Sequence, residues 1–293
     1  MTQQRQTLNY FSSNADDWQK KATQKKYSVI DNRHAAVLAA IKRHGAVKRF
    51  LDVGCGTGQL VLEVSELGVN AEGIDFSSEM IARCEVNKGD AKLPAKFSCD
   101  SFFDVSLPES SYDVISAQGF IEYISLEELD IFFATCFQAL TKGGSLALGS
   151  RNRLFNIHSL NEFTLLELNL NTEKFLLAES VALQTSLTQD EAIANLRAVE
   201  SIYPQPEFHP ITGIKVDTRY QFSPGDLMTR MRKHGFKPAA VYPVHFHGFP
   251  LSTIKEEPMA SLHKDFAELI LREKIYEARY VPFSSSFVIE ARK

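Results

Sequence analysis

The chain has 293 residues, 44% of them hydrophobic and 23% charged, which excludes a disordered, collagen-like or disulfide-scaffold protein and is enough to bury a large core without staples. Lys plus Arg total 32 against 36 Asp plus Glu, a net charge of -4, so there is no global attraction for phosphate backbones and nucleic acid is not the expected partner. Four cysteines, at 55, 84, 99 and 136, form no C-x-x-C pair; no metal site is expected, and the spacing fits a reducing cytoplasm. The opening MTQQRQTLNYF lacks the apolar stretch of a signal peptide. The longest apolar run, Ala35 to Ile41, is far below the ~18 residues of a membrane span, so a soluble cytoplasmic protein without membrane partners is expected.

In chain order, residues 1–47 read as a helical entry segment or lid with a polar start. From 48 to 150 short apolar runs alternate with helical periodicity: strands at 49–53, 71–76, 96–99, 112–117 and 145–149, with helices behind the first, second and fourth. Ser125 and Glu128 make a capping box, and Lys142-Gly143-Gly144 reads as the stop before strand five. This alternation predicts a parallel α/β sheet. Residues 151–222 break the pattern as an inserted, mainly helical cap, with capping boxes expected at Ser159/Glu162 and Thr188/Glu191. The core resumes over 223–293: Ser223-Pro224 opens a helix, strand six runs 239–246, a second insertion covers 249–282, and strand seven closes at 285–291. The expected fold is a seven-stranded, mostly parallel Rossmann-like sheet with helices on both faces.

The strongest feature is Leu51-Asp52-Val53-Gly54-Cys55-Gly56-Thr57-Gly58, a strand ending in a glycine turn that opens a helix. Glycines there permit positive φ and close ligand approach, and a helix start offers unpaired N–H groups. A dinucleotide fingerprint needs its third glycine at 59, which is Gln59; the spacing here is G-x-G-x-G. This loop resembles motif I of class I S-adenosylmethionine-dependent methyltransferases, in their small-molecule branch. The resemblance implies S-adenosylmethionine as cofactor, with S-adenosylhomocysteine as product. It implies that Asp52, Gly54, Cys55, Gly56 and Gly58 hold the amino-acid end. Asp75, closing Gly73-Ile74-Asp75, would take the ribose hydroxyls with Phe76 beside it. Asp100 would meet the adenine amine, with Ser101 or Phe102 on the ring and Gln118 at the end of strand four. Tyr10, Phe11 and Trp18 resemble the family's entry helix, where aromatic faces hold a sulfonium, and Arg33 is a candidate for the cofactor carboxylate.

Ligands in this fold sit beyond the carboxyl ends of the strands. His245 and His247 end strand six and, by alternation, share a face; they are the first candidates for a general base. Glu122-Tyr123 is the second, at a position where ubiquinone-pathway O-methyltransferases of this family carry Glu-His, so a His base there is missing. Arg151 and Arg153 follow strand five and suit a carboxylate or phosphate on the substrate, with His209 and Arg219 as further substrate contacts. Ser150 to Asn156 resembles methyltransferases of surface-polysaccharide or natural-product pathways. These features together point to methyl transfer to oxygen, or nitrogen, of a small polar metabolite such as a sugar or acid. A small-molecule N-methyltransferase and a non-catalytic S-adenosylmethionine-binding protein are the alternatives.

Overall fold

The computed structural model describes residues 3–22, 29–199, 201–206, 220–250, 253–254, 256–274 and 276–293. Two helices, α1 (Gln3–Ser13) and α2 (Ala15–Ala22), precede α3 (Val29–His44) and the first strand, β1 (Arg49–Val53). Then come α4 (Gln59–Glu66), β2 (Asn70–Asp75), α5 (Ser78–Lys88), β3 (Ala95–Cys99), β4 (Tyr112–Gln118), α6 (Leu126–Ala139) and β5 (Leu140–Arg151). Four helices follow, α7 (Arg153–Ser159), α8 (Glu162–Asn169), α9 (Glu173–Gln184) and α10 (Gln189–Val199). The chain returns through α11 (Pro224–Lys233), β6 (Lys237–Phe246), α12 (Met259–Lys274) and β7 (Ser284–Arg292).

The strands form one sheet in the order β3-β2-β1-β4-β5-β7-β6, with β7 antiparallel to both neighbours and the other pairs parallel. The order reverses beside β1 and β4. That switch point opens the crevice in which open α/β sheets bind ligands. One face of the sheet packs on α6 and α11 through Phe132, Phe133, Leu227 and Met231. The other packs on α3 and α4 through Ala36, Val37, Ala40, Leu60 and Val64. Strands covered on both faces read as continuous apolar runs, as Val114-Ile115 and Leu146-Ala147-Leu148 do.

The capping box at Ser125 is present: its hydroxyl accepts from Glu128 N at 3.1 Å and the Glu128 carboxylate accepts from Ser125 N at 2.8 Å. At Ser159/Glu162 the structure corrects the expectation. Asn161 is the cap, its Oδ1 accepting from Phe163 N and its N–H donating to Thr164 Oγ1, because Leu160 turns left-handed (φ 50°) and moves the helix start two residues on. Strand five also begins earlier than expected. α6 runs straight into β5 at Leu140, and Thr141 to Gly144 form an irregularity where the β4 register shifts, tied down by Lys293 N donating to Gly144 O.

Among the described residues of the 151–222 insertion, α7, the turn into α8 and Gln221 face the crevice. α9 and α10 lie against β6 and the turn at 278–283 instead. Glu179 of α9 accepts from Ser223 Oγ at 2.8 Å and Gly225 N at 2.9 Å, capping α11 from outside, and Tyr203 donates to it as well. Gln189 of α10 pairs its side-chain amide with both the N–H and C=O of Val241. β6 is the edge strand, so this amide covers part of a backbone that would otherwise be open for pairing.

Candidate active site

One cavity of about 900 Å³ lies beyond the carboxyl ends of β1, β2, β4, β5 and β6. Its wall runs from the 54–58 loop to His245 and His247, so the two ends expected to hold cofactor and acceptor belong to a single space.

At the first end, Gly54, Gly56 and Gly58 have φ of 69°, 54° and 84°, a left-handed run that side chains resist. The loop amides are less open than expected. Gly54 N and Cys55 N donate to Ile74 O, Gly56 N to Asp75 Oδ2 at 3.0 Å, and Gly58 N to Cys55 O. What the loop supplies is therefore shape and a turned-back backbone. Asp52, 3% exposed at the end of β1, has Oδ1 buried on the cavity wall with no partner. Burial, only partly offset by a hydrogen bond from Ser116, pushes its carboxyl up to about 7. Asp75 accepts from Ser77 N at 2.9 Å as well as from Gly56, and burial raises it to about 6. Each of its oxygens keeps a second lone pair, so orienting α5 and accepting from a ligand are compatible. Asp100, Ser101 and Phe102 line the same end, with Phe102 buried among Phe103, Phe120 and Phe132. Cys55, Phe76 and Gln118 are on the wall too; Gln118 donates to Ala147 O at 3.0 Å and Ser116 Oγ at 3.2 Å, and its Oε1 is buried without a partner.

The entry helices lie over this end. Ser12 donates to Glu79 at 2.8 Å, Asp16 pairs with Arg83, and Gln19 donates to Asn87 at 2.9 Å. Phe11 and Trp18 face the cavity, with ring centroids 5.7 Å apart and Phe11 5.0 Å from Tyr123. Tyr10 does not line the cavity: it is 39% exposed, packed edge-on against the outside of Phe11, which corrects its expected cofactor role.

The middle of the cavity holds an ionic cluster that sequence spacing did not reveal. Glu122, 2% exposed, accepts from Arg151 N at 2.9 Å and Arg151 Nε at 2.8 Å, and faces Arg33 Nη2 at 3.4 Å. Both carboxylate oxygens are committed to guanidiniums, so Glu122 positions the arginines and is not a free base, a correction to its expected role. Arg33 reaches this point from α3 by crossing Gly119, where a Cβ would sit 2.6 Å from its Nη1. Its other contact is Ser286 Oγ at 3.3 Å, and its Nε is buried with no partner.

Arg153 is the second correction among the substrate candidates. It is 1% exposed, and its Nε and Nη2 make bidentate contacts of 2.8–3.0 Å with Glu167 while Nη1 donates to Pro204 O at 2.8 Å. The side chain turns into the α7–α8 junction because Glu167, buried there with Asn156 and Thr172 on it, requires a countercharge. Asn156, the last residue of the 150–156 segment, lines the cavity instead. His209 and Arg219 lie outside the described residues.

At the far end His245 shares hydrogen bonds through Nδ1 with Ser285 Oγ at 2.8 Å and with His247 Nε2 at 3.1 Å. His245 has φ 59°, so the strand pleat breaks there and the two rings meet edge to face rather than standing parallel. His247 stacks between Phe155 and His263, and its Nδ1 is buried with no partner. Burial lowers His245 to about 4 and His247 to about 2, with the neighbouring histidines and, for His245, Arg33 adding to it. Both rings are neutral near pH 7. Among the described residues no cluster of His, Cys, Asp and Glu is arranged to hold a metal ion. Tyr123, half-buried, borders the cavity between Phe11 and Arg151.

Residues 50–144, which carry the glycine loop, the three acids and the ionic loop after β4, match the family described as "Methyltransferase domain". Over that stretch the chain is similar to methyltransferase domains. The ubiquinone biosynthesis O-methyltransferase of Nitrobacter winogradskyi is 30% identical over 105 residues, 36% of this chain and 39% of that protein. The enzyme of the same name from Rhodopseudomonas palustris is 28% identical, over 36% of this chain and 40% of its own. The chain thus matches about two fifths of the length of these curated relatives. The whole fold is like that of the magnesium protoporphyrin IX methyltransferase of Synechocystis with bound S-adenosylhomocysteine, with a TM-score of 0.56, 14% identity and 100% of both chains covered. It is also like the 1,6-didemethyltoxoflavin-N1-methyltransferase of Burkholderia thailandensis, with a TM-score of 0.55, 13% identity, and 98% of this chain and 87% of that one covered. At these identities the likeness is one of fold. The methyltransferase domain's wall fits its cofactor: the unpartnered Asp52 Oδ1 suits an ammonium, Asp75 a diol, and Phe102 and Phe120 a flat ring.

Proposed function

We propose that the protein transfers a methyl group from S-adenosylmethionine to a hydroxyl oxygen of a small polar molecule, a sugar or an acid. The observation that carries this reading is the single cavity that joins an acid-lined end to a pair of buried neutral imidazoles. The bound cofactor supplies an electrophilic methyl on a sulfonium, whose departure leaves a neutral thioether. The residues of this chain would do the rest. Asp52 would pair with the ammonium, Asp75 with the ribose, and Asp100 with the adenine amine. Phe11 and Trp18 would close over the sulfonium side and exclude water. An alcohol attacks carbon only as it loses its proton, and His245 and His247, neutral because they are buried, would receive that proton as the O–C bond forms and the C–S bond breaks. The left-handed φ of His245 supports the assignment, since backbone strain of this kind collects at functional sites. The curated relatives named O-methyltransferase support oxygen as the acceptor atom. The four free cysteines support a reducing, cytoplasmic setting.

Calorimetric titration with S-adenosylmethionine, S-adenosylhomocysteine and NAD tests the cofactor: the two adenosyl ligands bind and NAD does not. A screen of hydroxylated sugars, acids and phenols with methyl-labelled cofactor then tests the acceptor. Turnover on amines alone, unaffected by loss of both histidines, would replace oxygen by nitrogen.

A further inference from the structure

Behind the cavity wall lies a pair of charges that the transfer reaction does not use. Glu167, 1% exposed, takes the Arg153 fork at 2.8–3.0 Å and the Thr172 hydroxyl at 2.6 Å. A buried ion pair adds little net stability, but it can fix a unique arrangement of its neighbours. Here the arrangement can be followed atom by atom. A carboxylate paired with a guanidinium only accepts, so the Asn156 atom 2.7 Å from Glu167 Oε1 is its NH2 group. The same Nδ2 lies 2.7 Å from the Gln221 amide, so Gln221 turns its oxygen to Asn156. The NH2 group of Gln221 then takes the other branch of the amide. A single charge thus sets the polarity of two successive carboxamides, and both residues line the cavity.

Gln221 is also held along its backbone. Tyr220 N donates to Glu122 O, Phe222 N to Arg151 O, and Arg153 N to Phe222 O, so the residue is strung between the loop after β4 and the start of α7. Gln205 Nε2 donates to the Gln221 carbonyl at 3.1 Å. Asn156 follows Phe155, whose ring stacks on His247 with centroids 4.7 Å apart, so one turn of α7 joins the amide to the imidazoles.

Resting on the proposed function above, we infer that Gln221 is a specificity-determining residue for the acceptor: its Nε2 donates to a second oxygen of the molecule whose hydroxyl meets the histidines. The substrate class is then a hydroxyl compound that carries a hydrogen-bond-accepting oxygen, whether carbonyl, ring ether or hydroxyl, away from the methylated one. Asn156 is a positioning residue that acts through Gln221. A group offering only N–H there would meet the N–H of Gln221 and be disfavoured, because Glu167 prevents the two amides from turning round.

The test uses phenols that are alike at the hydroxyl and differ at the opposite end, titrated by calorimetry into the full chain saturated with S-adenosylhomocysteine. 4-Hydroxyacetophenone carries a carbonyl oxygen, 4-isopropenylphenol a CH2 in its place, and 4-hydroxybenzamidine only N–H groups. The wild type binds the ketone about fivefold or more tightly than the alkene, the scale of one hydrogen bond. Gln221→Met removes that gap. Gln221→Glu keeps an oxygen for Asn156 and turns a second one to the cavity, so it reverses the order of ketone and amidine, which a merely structural side chain would not do. Asn156→Leu, with Gln221 intact, narrows the gap; should that variant fail to fold, the two changes at Gln221 decide alone. Equal binding of ketone and alkene by the wild type, binding of neither, or a gap that survives Gln221→Met overturns the inference. Failure of the wild type to bind S-adenosylhomocysteine is read before any phenol is added, and strikes the methyltransferase reading on which the inference rests.

Discussion

The two ends of the cavity are built by different means. The cofactor end is made from consecutive loop residues at strand ends: Asp52 and the glycines after β1, Asp75 after β2, Asp100 to Phe102 after β3. Each is placed by the backbone at a strand end, and Asp75 ties the first two loops together through Gly56 N and Ser77 N. The acceptor end gathers single side chains from α3, β4, β5, α7, β6, α12 and β7, held by buried charges and rings. A local design tolerates distant change; a convergent one propagates it. The difference predicts that substitutions at the first end alter ligand affinity, and at the second alter rate or folding.

The largest expected effect is at the histidines. His245→Gln with His247→Gln should lower kcat by ~10²–10⁴ on a hydroxyl acceptor, the usual worth of a general base. Affinity for S-adenosylhomocysteine should not change, which calorimetry on the same protein checks. With S-adenosylmethionine saturating at every pH, so that Asp52 does not enter, the acid limb of kcat/KM for the acceptor should lie well below the 6.5 of an ordinary imidazole, toward 4, because burial holds His245 neutral. A limb at 6–7 would mean that another group takes the proton.

Next is Arg153→Met, which leaves Glu167 buried without its countercharge and should cost ~3–5 kcal/mol of stability by urea unfolding. The double change Arg153→Met with Glu167→Leu should recover most of it, since removing a whole buried pair is often neutral. A single change costing under ~1 kcal/mol would show that the acceptor end does not depend on this junction.

Asp52→Asn should weaken S-adenosylhomocysteine binding by ~2–5 kcal/mol, thirtyfold or more, with unfolding little changed. Asp52 also gives the cofactor end a pH dependence. In the free protein its carboxyl sits at about 7, and an ammonium pairs only with the ionised form. Affinity should therefore fall about tenfold per pH unit below that value and level off above it, and the variant should lack this slope.

The same contrast decides what could be read from the chain. The alternation of strands and helices, the glycine turn and the Ser125 cap are local patterns that spacing exposes, and the three acids were reached through the loop's resemblance to a known family. Arg33, Glu122 and Arg151 come from three elements 29 to 118 residues apart, so no window contains them. Arg153 looked equivalent to Arg151 because both follow strand five; what separates them is Glu167, 14 residues on, which draws one into the core. Tyr10 and Phe11 are adjacent, and only the seating of α1 against α5 chooses which faces the cavity. At 159–164 two capping patterns overlapped, and the left-handed turn at Leu160 decided for Asn161.

The smallest effect sharpens the boundary between the two ends. Ser125 caps α6 immediately behind Glu122 and Tyr123, so it anchors the loop that carries the ionic cluster. Ser125→Ala removes one cap hydrogen bond and should cost ~1 kcal/mol of stability. Glu128 would still accept from the N–H of residue 125, so the loop should keep its path. Affinity for S-adenosylhomocysteine should stay the same. If the acceptor end is as convergent as the contacts of Glu122 indicate, a small loosening here should instead raise KM for the acceptor, because Glu122 links Arg151 to Arg33. An unchanged KM with the full loss of stability would mean that Arg151 N and the Tyr220 N contact to Glu122 O hold the loop by themselves, and that the cluster is more rigid than its cap.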